Sequence, residues 1–242
     1  MKSRRMEAKR WLWRKYLAAM PRYSRPLSTM KLTRRLLLAL AAFATTAFSA
    51  DEEGFTSIFN GKDFTGWKGP VENYEVKDGA IACKAGKGGT IYTAEEYADF
   101  VVRFEVLIPA GSNNGLAIRY PGSGDTAYVG MCELQVLDND APKYAKLDPR
   151  QYHGSAYGMV AAKRGHLKPA GEWNVQEVTV KGSTIKVVLN GETILECDLS
   201  KVNMDEVMGK KPHPGKDRTS GYFGFAGHND LVLYRNIRIK RL

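Results

Sequence analysis

Three cysteines in 242 residues are too few for a disulfide-stapled scaffold, and an odd number leaves at least one thiol free. Cys83, Cys132 and Cys197 have no metal-ligand spacing, and each sits within an apolar-alternating run. They read as buried thiols, with one bridge left open. No G-x-S-x-G element is present. GKGG at 86–89 lacks the rest of a phosphate-binding loop. Helical periodicity is nearly absent, and no apolar run reaches the roughly 20 residues of a spanning helix. Net charge is also missing where it matters. Residues 1–50 hold 12 of the 36 Lys and Arg and only Glu7 of the 26 acids. The chain from Asp51 onward keeps 24 basic and 25 acidic residues, a net of −1. That body has no electrostatic reason to bind nucleic acid.

What is present begins with an export signal. In residues 30–50, MKLTRRLLLALAAFATTAFSA, the basic Lys31, Arg34 and Arg35 precede an apolar run from Leu36 to Ala44. Ala47 and Ser49 follow in A-x-S spacing, completing a secretory leader. The expectation is a periplasmic or secreted protein without stable membrane insertion. No cysteine lies near the cleavage region, which argues against a lipid anchor. Thr33-Arg34-Arg35 before leucines also suits twin-arginine export, though the match is weak. Residues 1–29 are basic and unpatterned: either Met30 is the true start or the leader has an unusually long basic n-region. The mature domain is then 51–242.

Strand signals fill that domain. In DFVVRFEVLIPA, Phe100, Val102, Phe104, Val106 and Ile108 alternate with Val101, Arg103, Glu105 and Leu107. NVQEVTVKGSTIKVVLNGETILECDL reads as three strands joined at Lys181-Gly182-Ser183 and Asn190-Gly191. Asn-Gly between alternating runs is a strong hairpin signal. YEVKDGAIAC is another hairpin, turning at Asp78-Gly79, and GLAIRY, YVGMCELQVL, GYFGFAG and LVLYRNIRIKRL add further strands. Short turns are expected at Thr93–Tyr97 and Asn203–Met208. The pattern predicts an all-β protein of about twelve strands in two antiparallel sheets, a sandwich or jelly roll. Two long loops, 139–172 and 200–220, are candidates for function. Their basic residues at 163–168 and 210–216 suit solvated loops, or recognition of an anionic group.

Several segments together resemble one family, the 3-keto-disaccharide hydrolase domain. GFTSIFNGKDFTGWKG resembles its opening signature, SNNGLAIRY its N-S-G-[IL]-x-x-R strand, and CELQVLDND its E-x-Q-[IV]-L-D-N strand. GEWN, KGSTIKVVLNGE and YRNIRIKRL match the remaining blocks in order. Asn114 departs mildly from the Ser of N-S-G. The resemblance implies a concanavalin A-like jelly roll acting on a carbohydrate substrate, with the polar residues of one strand facing a sugar. It also implies functional coupling to an oxidoreductase that makes the 3-keto sugar.

The stretch MCELQVLDND carries the chemistry. Glu133 and Gln135 share one strand face, and Leu134 and Val136 share the other. Glu133, Gln135 and Asp138 have the E-x-D-x-x-E spacing of jelly-roll glucanases, but Gln replaces the central Asp. An amide cannot tune a neighbouring carboxylate by like charge, so two-carboxylate hydrolysis of an unactivated glycoside is disfavoured. A 3-keto sugar needs less. The ketone acidifies the C2 hydrogen, and the glycosidic oxygen on C1 lies β to the carbonyl. One base, one enolate stabiliser and one acid suffice for elimination, and water then adds back.

Glu133 is the first candidate for general base or acid. Asp138 is a second acid or base, which needs a bulge to reach the same face, or an acceptor fixing the following turn. Arg119 either stabilises the enolate or pairs with Glu133 or Asp138. His153 shares proton transfer or is an exposed loop residue. Substrate contacts are expected from Gln135, Asn114, Tyr157 and His228. His166 and His213 read as exposed. Trp67 and Trp173 read as core. No cluster has a recognisable metal spacing, and a divalent ion held by carboxylates from several loops stays open. The competing expectation is a non-catalytic, lectin-like carbohydrate-binding module on the same concave sheet.

Overall fold

The computed structural model describes residues 54–242. The expected leader and the segment before it lie outside the described residues. Thirteen strands follow in chain order: β1 (Thr56–Ser57), β2 (Trp67–Lys68), β3 (Tyr74–Lys77), β4 (Ala80–Cys83), β5 (Gly88–Tyr97), β6 (Phe100–Leu107), β7 (Asn113–Tyr120), β8 (Cys132–Leu137), β9 (Trp173–Lys181), β10 (Thr184–Leu189), β11 (Glu192–Asp198), β12 (Gly221–His228) and β13 (Leu233–Arg241). They form two antiparallel sheets. The back sheet has the order β11-β10-β9-β6-β13-β4-β3, with β1 also on β13. The front sheet has the order β2-β5-β12-β7-β8. This is the two-sheet antiparallel jelly roll that the alternation predicts, of the concanavalin A-like kind that the family resemblance implies.

The alternation sorts side chains between the sheets. On β6, Phe100, Val102, Phe104 and Val106 are fully buried between the layers. Arg103 and Glu105 point away from them, pairing with Glu177 and Arg235 respectively. From the front sheet, Phe223 meets Phe100, and Phe225 meets Phe104 and Tyr234, with Phe225 and Tyr234 stacked at 3.9 Å. Each fully buried aromatic of this kind contributes about 1.5–3 kcal/mol of burial. Trp67 stacks on Phe225 at 5.4 Å and belongs to this core. Trp173 does not: it is half-buried on the outer side of the back sheet, with the Arg235 guanidinium 4.0 Å above its ring. Cys83 and Cys132 are buried and Cys197 half-buried, all as free thiols.

The hairpins fall where the turn residues put them. Asn190 and Gly191 join β10 to β11 with φ of 52° and 93°, the left-handed pair that a two-residue turn requires. Three elements differ from expectation. Thr93–Tyr97 is strand, because β5 stays paired with β12 as far as Tyr97 opposite Gly221. Residues 126–129 form a short helix, α1 (Thr126–Val129), capped by Asp125, whose carboxylate accepts the Ala127 N–H at 3.1 Å. β8, which the pattern of jelly-roll glucanases would put at the centre of its sheet, is instead the last strand. Its outer edge is covered by residues 154–157, through bonds from Gly154 N–H to Gln135 O and from Tyr157 N–H to Glu133 O.

Candidate functional site

The pairing register lays out the front face of the five-stranded sheet. Glu133 pairs with Ala117, Gln135 with Gly115, and Leu137 with Asn113. Gly115 pairs in turn with Ala226 of β12, and Ala226 with Thr90 of β5. Paired residues share a face, so Glu133, Gln135, Gly115, Ala226, Thr90 and His228 lie on one side of the sheet. Its middle is floored by Gly and Ala and its edges carry the polar groups.

Small residues in that floor let a long side chain cross it. Glu133 leaves β8 and lies across β7. A Cβ on Gly115 would stand 2.0 Å from the Glu133 Oε1 and 2.4 Å from its carboxyl carbon. Only glycine leaves that path open. The carboxylate ends at β12, where Oε1 accepts the Nε2–H of His228 at 2.8 Å. Glu133 is 2% exposed, while the His228 side chain keeps 42% of its surface in solvent. The carboxylate is the buried anchor and the imidazole the accessible partner. This hydrogen bond holds the His228 pKa above its ordinary 6.5 against the opposing effect of burial, and the charges of Glu133, Asp125 and Asp230 add to it. With Nε2 committed to Glu133, Nδ1 is the ring nitrogen left to the cleft.

The dyad opens into a cleft of about 440 Å³, lined also by Thr90, Tyr92, Tyr120, Asp125 and Pro70. That size falls within the range of about 300–1,000 Å³ usual for small-ligand sites. Thr90 and Thr126 join their hydroxyls across it at 2.6 Å. One hydroxyl donates to the other, and the Thr90 side chain also interacts with the Tyr120 hydroxyl. Other grooves are larger. One of about 560 Å³ contains Glu95 and Arg241, which already pair with each other at 2.8 Å. Another of about 740 Å³ contains Asp138 and Lys143. Neither joins a histidine to a carboxylate, so chemistry rather than size selects the cleft at His228.

Of the residues singled out from the sequence, Glu133 and His228 come together here. Gln135 shares their face; its side-chain amide donates to Asn113 Oδ1 and it is 4% exposed. Tyr157 flanks the strand, its N–H on Glu133 O and its hydroxyl accepting from Gln151 at 3.1 Å. Four others are elsewhere. Arg119 is 1% exposed and faces away from the cleft. It pairs with Asp99 at 2.9 Å, not with Glu133 or Asp138, and donates to the carbonyls of Ala98, Gly182 and Arg218. It ties three chain segments together on the side of the sheet away from the cleft. His153 is 1% exposed beneath the covering loop, its Nδ1 accepting from Leu137 N–H and its Nε2–H donating to Gln176 Oε1 at 3.0 Å. Burial depresses its pKa to about 4, so it is neutral and structural. Asp138 lies past the end of β8, and no bulge in the β7–β8 pairing returns it to the Glu133 face. It accepts Gly111 N–H at 2.7 Å and fixes the turn. Asn114 points into the core, where its Oδ1 accepts the Tyr234 hydroxyl.

His213 departs from expectation too. It is buried against Tyr128 and bonded to Ala127 O at 3.1 Å, bracing α1 from behind. Thr90, Tyr92 and Asp125 of the cleft had no sequence motif. The signal for them was the small-residue alternation of Gly224, Ala226 and His228, which marks a face too flat to be core. Among the described residues no three His, Cys, Asp or Glu side chains converge as a metal site. The divalent-ion expectation therefore acquires no ligand set here.

Comparison with known proteins gives the family and the fold. A curated 3-keto-disaccharide hydrolase from Bacteroides thetaiotaomicron is 28% identical over 244 residues, covering 85% of this chain and 84% of that protein. Two crystal structures from Parabacteroides distasonis, both described as “putative glycosyl hydrolase”, superpose with a TM-score of 0.68. They are 26% and 29% identical, each over 78% of this chain and over 99% and 94% of their own. The family model of the 3-keto-alpha-glucoside-1,2-lyase-like domain matches residues 54–240, which is nearly all of the described sandwich, and the chain belongs to that family.

Proposed function

We propose that this protein cleaves 3-keto-glycosides, with His228 and Glu133 as a proton-transfer dyad. The 2.8 Å bond between an accessible imidazole and a buried carboxylate, at the floor of a ligand-sized cleft, carries the reading. Neutral His228 takes the C2 proton at Nδ1. The electron pair moves to O3 as the enolate forms. The C1–O bond then breaks, and the imidazolium returns its proton to the leaving oxygen. One ring thus serves as base at C2 and as acid at the oxygen on the neighbouring C1, and hydration of the eliminated sugar completes a hydrolysis. Glu133 stabilises the imidazolium and fixes its tautomer. The Thr90–Thr126 pair gives the cleft a hydroxyl contact to the substrate oxygens, where Arg119 was first expected. In this reading the leader expected at 30–50 directs the enzyme to the periplasm or the exterior. The ketone requires an oxidoreductase acting first on the sugar.

The test is a 3-keto-glucoside with a chromogenic leaving group, beside the unoxidised glucoside. Release from the keto substrate alone, abolished in His228→Asn, supports the reading. Release from both substrates equally would end the elimination mechanism. Sugar binding with release from neither would make the face a lectin-like recognition surface.

A further inference from the structure

The cleft is lopsided. From β8 only Glu133 lines it, and from β7 only Tyr120; the rest comes from β5, β12, the turn after β2 and residues 122–126. On the β8 side the segment 154–157 is bonded to the strand edge. A sugar whose C2 sits at His228 can therefore extend along the cleft toward Tyr92 and Tyr120. Tyr92 pairs with Gly224, four residues along β12 from His228. Four residues of strand span about 13 Å, which leaves room for one ring between Tyr92 and the dyad. Tyr92 is held in place by other rings, packing on Tyr222 at 4.9 Å and edge-on to Tyr120 at 5.6 Å. A ring so fixed binds without much further ordering. The charge is lopsided as well. Asp125 and Glu133 line the cleft and no Lys or Arg does. Lys68 stands over the Tyr222 ring at 5.6 Å rather than among the lining.

We propose that Tyr92, backed by Tyr222 and Tyr120, is the platform for the leaving group, and that this group is an uncharged ring. The inference rests on the elimination reading for which end of the substrate lies there. Stacking against a fixed aromatic contributes about 0.5–1.5 kcal/mol, up to roughly tenfold in affinity.

The experiment compares methyl and benzyl 3-keto-α-glucosides, whose leaving alcohols have similar acidity. Wild type should favour benzyl in kcat/KM. Tyr92→Ala should lower the benzyl-to-methyl ratio by about five- to tenfold, and Tyr92→Phe should preserve it. A ratio unchanged in Tyr92→Ala overturns the platform. If Tyr92→Ala does not fold, Tyr92→Leu fills the space without a flat face and should lower the ratio likewise. Calorimetric binding of the unoxidised benzyl and methyl glucosides separates this from the reaction itself. A benzyl preference lost in Tyr92→Ala supports the platform even if no keto substrate is cleaved, and no preference overturns it. A 4-carboxybenzyl glucoside bound as tightly as benzyl overturns the requirement for a neutral ring.

Discussion

Two histidines of this protein make nearly the same hydrogen bond and have opposite fates. His228 Nε2 lies 2.8 Å from the Glu133 carboxylate, and His153 Nε2 lies 3.0 Å from the Gln176 amide oxygen. The first partner is charged and the ring half-open to water, so protonation is favoured and the pKa rises. The second partner is neutral and the ring sealed under a loop, so protonation is opposed and the pKa falls to about 4. Proximity to an oxygen does not make a histidine reactive. The charge of that oxygen and the access of the other nitrogen decide it.

The largest effect should come from exchanging those fates by mutation. His228→Asn and Glu133→Gln should each lower kcat on a 3-keto-glucoside by about 10²–10⁴-fold while the melting temperature stays near wild type. Each change removes a titrating group and keeps its shape. A variant that keeps a tenth of the wild-type kcat, measured beside its thermal melt, would remove that residue from proton transfer. Arg119 supplies the opposite signature. Its guanidinium is buried against Asp99 and three carbonyls, so Arg119→Leu should destabilise the fold by about 3–5 kcal/mol. The fraction that remains folded should keep its turnover number. Denaturant melts with active-site titration would show it, and a loss of kcat without a loss of stability would return Arg119 to the reaction.

The pH dependence separates the two rings further. The folded state keeps His153 neutral down to about 4, while the unfolded chain protonates it near 6.5. Stability from this group is thus complete above about pH 6.5 and drains away as pH falls toward 4, by about 3 kcal/mol at most. His213, also lowered by burial, slopes the same way, so the comparison must be wild type against His153→Gln. The variant should have a flatter stability profile between pH 6.5 and 4. An unchanged slope would mean that His153 is not sealed. His228 runs the other way: its raised pKa gives stability present below about 6.5 and lost as pH climbs through the folded value. Activity that uses its neutral form should therefore rise over the same interval.

The sandwich was legible because its signals are local. Alternation from Phe100 to Val106 and the Asn190-Gly191 turn need no knowledge of distant chain. The site was only half legible, because its decisive contacts are long-range. Glu133 and His228 are 95 residues apart. The same distance problem misplaced Arg119, whose carbonyl partners at Gly182 and Arg218 lie 63 and 99 residues away. An Arg at the end of a strand and a His in a long loop look alike from the sequence whether they face substrate or fill a hole. Only the far partner tells them apart.

The smallest expected effect belongs to Tyr157, on the loop that joins the two regions. That loop buries His153 at one point and lies along the Glu133 strand at another. Tyr157 supports Glu133 through its backbone N–H, bonded to Glu133 O at 3.0 Å. Its hydroxyl accepts from Gln151, an exchange worth about 1 kcal/mol of stability. Tyr157→Phe removes that hydroxyl and keeps the backbone bond. Turnover should stay within about threefold of wild type, because the support is in the main chain. Loss of tenfold or more in kcat, with an unchanged melt, would instead put the Tyr157 hydroxyl on the reacting sugar. The covering loop would then belong to the chemistry of His228 as well as to the sealing of His153.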